Sequence, residues 1–221
     1  MKQSKAIRGH FAAAAEEPSV ESLESYLERL ASSAPTPGGG SAATLVGAFA
    51  ASLVAMVARI TRDNRNYADK GTLADELIRD ADQLRTKLSE ARIADERAYR
   101  AVVDATTLPR LTPEQKSART AVLQAALTGA AAAPLHAAEL AVATLRVAEG
   151  AHALGNRHLE SDVVCAAIFA RAALEAAAAN VRINHAFMKD LDVVREQEAE
   201  LSALERAGAE LYARVNRTAR S

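Results

Sequence analysis

Apolar residues recur at alternating steps of three and four along most of the chain, the period of a helix with one buried face. Six helices are predicted on that basis. The first runs from Ser19 to Ser33, with Leu23, Tyr26, Leu27 and Leu30 on one side. The second follows Pro35-Thr36-Pro37-Gly38-Gly39-Gly40 and runs from Ser41 to Thr61. The third, Thr72 to Thr106, carries a long stripe of Leu77, Ala81, Leu84, Leu88, Ala91, Ala98, Val102 and Ala105. Thr112-Pro113-Glu114-Gln115 opens the fourth with a capping box and a proline at the first helical position. That segment reaches about Gly150, and Pro134 is expected to kink or divide it. The fifth covers Glu160 to Met188 and the sixth Asp192 to Val215. No linker composition and no fixed-period repeat interrupts the series, which predicts one all-α helical bundle over residues 19–221, preceded by a flexible leader at 1–18.

Composition supports the helical reading. Alanine makes up roughly a quarter of the chain, aromatic residues 4%, and there is no Trp. Alanine is the best helix former, whereas sheets favour β-branched and aromatic side chains. A chain 49% hydrophobic is not a disordered one. Lys+Arg (27) nearly equals Asp+Glu (28), so no net field draws nucleic acid or an anionic membrane. Cys165 has no partner for an internal disulfide, and its apolar neighbours predict a small core residue. The uncharged stretch Thr36 to Ala58 is long enough to span a bilayer, but Ala, Gly, Ser and Thr dominate it, which predicts a buried helix instead.

Three places are not explained by packing alone. Gly38, Gly39, Gly40 and Ser41 precede a helix: bare backbone and free N–H groups there suit an anion or a carbonyl oxygen, or else Ser41 is simply an N-cap. Asp95 falls between Ala91 and Ala98 in the apolar stripe of the third helix. Burial there would raise its pKa and let it exchange protons near neutrality; alternatively, paired to Arg or a backbone group, it sets helix register. The run Gly155 to Asp162 offers Asn156, Ser161 and Asp162, with Ser161 or Asp162 able to cap a helix, and the fifth helix later carries Asn180 and Asn184 on one face. Asp162 and Asn180 are roughly 27 Å apart along a straight helix, too far to serve one small site unless a second subunit supplies part of it. The five histidines have no HExxH spacing, and a lone Glu-x-x-His step at Glu149 and His152 supplies too few ligands, so no metal site is expected.

Ala34-Pro35-Thr36-Pro37-Gly38-Gly39-Gly40-Ser41-Ala42-Ala43, then Ala55-Met56-Val57, Thr61 and Tyr67, resemble the cyclodeaminase/cyclohydrolase family. Ile93-Ala94-Asp95, Pro134-Leu135, Gly155-Asn156 with Ser161-Asp162, and Asn180-Val181 with Asn184 follow in the same order, so the resemblance covers about Ser19 to Arg217. That family includes formiminotetrahydrofolate cyclodeaminase and bacterial methenyltetrahydrofolate cyclohydrolase. The resemblance implies a cytoplasmic, all-helical homodimer acting on a one-carbon-substituted tetrahydrofolate, with no cofactor beyond that substrate, no metal, and no nucleic-acid or membrane partner. It implies Asp95 as acid/base. Gly38, Gly39, Gly40, Ser41, Arg65, Tyr67, Asn156, Ser161, Asp162, Asn180 and Asn184 would contact the substrate. Between Thr61 and Tyr67, where family members commonly carry lysines, this chain has Arg62-Asp63-Asn64-Arg65-Asn66, and Arg65 would hold the folate glutamate tail. The competing readings are a diverged relative acting on another cyclic amidine or imine, and a catalytically silent helical dimerisation module.

Overall fold

A computed structural model describes residues 21–218. The expected leader at 1–18 lies outside them. Contacts divide the chain into a segment ending at Ala34 and a body that begins at Pro35. In the first, α1 (Leu23–Leu30) starts where the Ser22 hydroxyl accepts from the Ser25 N–H at 3.1 Å, and Arg29 pairs with Glu21 at 2.6 Å.

The body contains α2 (Gly39–Arg62), α3 (Gly71–Thr107), α4 (Pro113–His152), α5 (Glu160–His185) and α6 (Leu191–Thr218). Short 3-10 turns cover Arg65–Lys70 and Arg157–Leu159. The all-α expectation holds throughout the described residues. Helix α2 packs on α3, α4 and α5; α4 also meets α3, α5 and α6, and α5 meets α6. Small side chains make this possible. Ala50, Ala51, Ala58, Ala138, Ala141, Ala148, Ala166, Ala167, Ala170 and Ala177 are all fully buried, around larger anchors such as Val54, Leu88, Leu145 and Leu201. Gly208 in α6 shows how tight the fit is, since a Cβ there would lie 2.3 Å from Leu174 Cδ2. By length and composition α2 and α4 could each cross a membrane. Three neighbouring helices nevertheless cover α2 and bury its small side chains from Ala43 to Ala58.

Three local expectations are corrected. Gly38, not Ser41, is the N-cap of α2, so Ser41 sits inside the first turn. Leu159 occupies the corresponding position of α5 without a side-chain cap, which places Ser161 and Asp162 in the first turn; the preceding 3-10 turn leads directly into the helix. Cys165 is exposed, as are Ile168 and Phe169 one turn on. Helix α5 is apolar around more of its circumference than its neighbours cover, so apolar sequence neighbours do not imply burial.

Pro134 does not divide α4, which is continuous from Pro113 to His152. Proline cannot donate to the carbonyl four residues back and leaves it unpaired. In this fold that carbonyl, Ala130 O, accepts from Asn184 Nδ2 of α5 at 2.9 Å. The break in one helix is thus repaired by a side chain from another.

Candidate active site

The glycine turn, Asp95 and Asn180 meet at the start of α2. Gly39 and Gly40 are its first two helical residues, and the first N–H groups of a helix have no intrahelical acceptor. At Gly40 the absence of a side chain is required by contact, whereas a side chain at Gly39 would meet only ordinary van der Waals contact. A Cβ on Gly40 would lie 2.2 Å from Asp95 Oδ1, and one on Gly39 would lie 3.4 Å from Asn180 Nδ2. Bare backbone at Gly40 therefore lets α2 close on α3, with Asn180 of α5 beside Gly39.

Asp95 lies half-buried on α3, continuing the line of Leu88 and Ala91. Loss of water raises its pKa to about 6, against 3.8 ordinarily. The Ser41 N–H donates to the carboxylate and works against that rise, while the neighbouring charge of Glu96 adds to it. The result is a carboxyl that exchanges a proton near neutrality.

Periodicity alone does not single out Glu96, which is more deeply buried than Asp95. Its Oε1 accepts from Ser41 Oγ at 3.1 Å and from Arg92 at 3.2 Å, and its Oε2 lies 3.8 Å from Arg100. The signal available in the sequence is the i, i+4, i+8 ladder of Arg92, Glu96 and Arg100, which reads equally well as a solvated ion-pair row.

The asparagines direct their amide donors to backbone. Asn180 Nδ2 reaches Ala176 O at 2.8 Å; Asn184 Nδ2 reaches Asn180 O at 2.8 Å as well as Ala130 O. Their amide oxygens carry none of these bonds and remain acceptors for the surroundings.

The other candidates lie elsewhere. Asn156 is buried and joins the far end of α2 to the loop before α5: its Nδ2 donates to Thr61 Oγ1 at 3.0 Å and its Oδ1 accepts from the His158 N–H. Arg65 and Tyr67 sit on the adjoining 3-10 turn, Arg65 exposed. Arg62, beside them, is engaged with Asp63 and Asp75. Ser161 and Asp162 open α5. From Gly40 to Thr61 is roughly 30 Å along α2 at ~1.5 Å per residue, so within one chain the candidates form two groups rather than one.

A family model described as Formiminotransferase-cyclodeaminase matches residues 22–203. The chain belongs to this family. Methenyltetrahydrofolate cyclohydrolase of Methylorubrum extorquens is 35% identical over 201 residues, covering 91% of this chain and 97% of that protein. Formimidoyltransferase-cyclodeaminase of Rattus norvegicus is 32% identical over 176 residues, covering 80% of this chain but 32% of the longer rat protein. Among solved structures, formiminotetrahydrofolate cyclodeaminase of Thermotoga maritima superposes with a TM-score of 0.80 at 28% identity, covering 89% of this chain and 94% of that one.

Proposed function

We propose that this chain is a folate one-carbon enzyme that hydrolyses the methenyl bridge of 5,10-methenyltetrahydrofolate, with Asp95 as the proton-transferring group. The observation that carries the reading is the Asp95 carboxyl, with a pKa near 6, set against the bare backbone of Gly40 in the first turn of α2. Similarity to a cyclohydrolase over nearly the full length of both chains supports this choice of reaction. In the forward direction water adds to the methenyl carbon while the Asp95 carboxylate takes its proton. The C–N5 bond then breaks as Asp95 returns that proton to N5. The remaining hydroxyl proton passes to solvent and leaves 10-formyltetrahydrofolate. The chemistry requires proton transfer and a polar cradle; neither a metal nor a redox group takes part. Gly38, Gly39 and Gly40 offer backbone donors, and Ser41, Asn180 and Asn184 orient the polar edges of the ligand.

The second reading is cyclodeamination, favoured by the match to the Thermotoga maritima structure. There N10 attacks an N5-formimino carbon and Asp95 protonates the departing ammonia. Loss of methenyl absorbance in one assay and ammonia release from formiminotetrahydrofolate in the other separate the two reactions. If the wild-type protein performs neither, the folate reading is wrong.

The separation of the candidate residues supports a homodimeric enzyme in which a second copy brings Arg65, Tyr67, Asn156, Ser161 and Asp162 towards the glycine turn of the first. Phe49, Met56 and Ile60 on α2 and Ile168 and Phe169 on α5 are exposed, and these two packed helices supply the apolar face for it. Mixing inactive Asp95→Asn with inactive Asn156→Ala should restore about a quarter of wild-type activity through mixed dimers. Sedimentation as a monomer, or no restoration on mixing, refutes the shared site.

A further inference from the structure

Ser41 is held from two sides by consecutive carboxylates of α3. Its N–H donates to Asp95, and its hydroxyl donates to Glu96 Oε1 at 3.1 Å. Glu96 cannot drift, because Arg92 one turn before and Arg100 one turn after flank it at 3.2 and 3.8 Å. Arg100 Nε also reaches Thr36 Oγ1, at 3.5 Å, just upstream of the glycine turn. The entry of α2 is therefore tied to α3 through a buried, charged side chain adjacent to Asp95. A buried carboxylate between two guanidiniums is expensive to desolvate and is weak evidence of stability for its own sake.

We infer that Glu96 is a positioning residue for Asp95: through the Ser41 hydroxyl it fixes the N–H that holds the Asp95 carboxyl in the turn. The inference rests on the reading of Asp95 as the group that moves the proton. The charged groups around the turn are Asp95, Glu96, Arg92 and Arg100 on α3. Helices α2 and α5 bring Gly39, Gly40, Ser41 and Asn180 to it, none of which titrates. Asp95 and Glu96 thus have separate tasks although they are neighbours in sequence.

Two substitutions in the full chain act in opposite directions. Glu96→Gln keeps an acceptor for Ser41 but removes a negative charge and leaves two guanidiniums uncompensated. The titration midpoint of the Asp95 carboxyl should fall by roughly one pH unit. Ser41→Ala leaves both carboxylates intact but unties the donor, and the midpoint should rise by about half a unit. Carbon-13 NMR of the aspartate carboxyls, with the Asp95 signal assigned by its loss in Asp95→Asn, reads both shifts without an activity assay. On methenyltetrahydrofolate the midpoint of the kcat–pH profile of Glu96→Gln should move by the same amount, with KM within about twofold of wild type. A midpoint unchanged in both variants, or one that rises in Glu96→Gln, overturns the inference. Should Glu96→Gln fail to fold, Ser41→Ala decides alone. If both shifts occur in a protein inactive on folates, the positioning role stands and the proposed reaction falls.

Discussion

Replacing Asp95 by Asn should stabilise the protein, and only at pH values where the wild-type carboxyl is ionised. Burial raises the Asp95 pKa from 3.8 to about 6, so the folded state binds this proton more tightly than the unfolded chain does. Below pH 3.8 the group is protonated in both states and imposes no penalty. As pH rises through that value to 6 the penalty grows, and above 6 it is complete. The shift corresponds to about 3 kcal/mol. Asp95 keeps partial solvent contact, which screens the charge and reduces the expected penalty to about 1–2 kcal/mol. An asparagine retains an acceptor for the Ser41 N–H and carries no charge to desolvate. Thermal unfolding followed by circular dichroism should therefore show Asp95→Asn melting about 3–6 °C above wild type at pH 8, with little difference at pH 4. A variant less stable than wild type at pH 8, or an equal difference at both pH values, would refute the reasoning.

Gly40→Ala should lower activity at least tenfold and stability by about 1–3 kcal/mol, because the added Cβ would collide with the Asp95 carboxyl at 2.2 Å. Steady-state kinetics and urea unfolding would read the two effects, and unchanged kinetics would mean the close approach is unimportant. Asn184→Ala should cost about 1–3 kcal/mol by leaving the Ala130 carbonyl without a donor. In a Pro134→Ala background that loss should shrink, since residue 134 then supplies an N–H of its own, and equal costs in both backgrounds would contradict the repair. Leu88→Ala, which empties a fully buried position between α2 and α3, should destabilise by about 2–5 kcal/mol in the same urea assay.

The bundle could be read from the sequence where local rules and packing agree. The capping box at Thr112 and Gln115 is present as read, with Pro113 first in α4. The α3 stripe of Leu77, Ala81, Leu84, Leu88 and Ala91 is buried as its spacing predicts. Legibility failed where a distant side chain overrides a local rule. Pro134 should break a helix in isolation, and only the fold brings Asn184 to the carbonyl it orphans. Ser41 has the composition of a cap, but its hydroxyl is directed to Glu96 on another helix. The apolar surroundings of Cys165 do not distinguish a face turned to the core from one turned outward. Within the candidate site, Asp95 stood out because a carboxylate interrupted an apolar seam. Glu96 had no such contrast, because arginines at i−4 and i+4 are also the mark of a solvated helix face. The distance between the two groups of candidates could be read from helical rise alone. Which residues share a turn could not, since the approach of Gly40 to Asp95 and of Gly39 to Asn180 joins three helices far apart in the chain.

The central claim is that Asp95 moves the proton at the one-carbon bridge. Its most direct test is the rate of methenyltetrahydrofolate hydrolysis, followed by loss of absorbance, in wild type and in Asp95→Asn of equal helix content. General acid–base catalysis contributes typically about 10²–10⁴-fold, so the variant should lose at least a hundredfold in kcat, with KM changed far less. Wild-type activity retained within a fewfold in Asp95→Asn would contradict the claim.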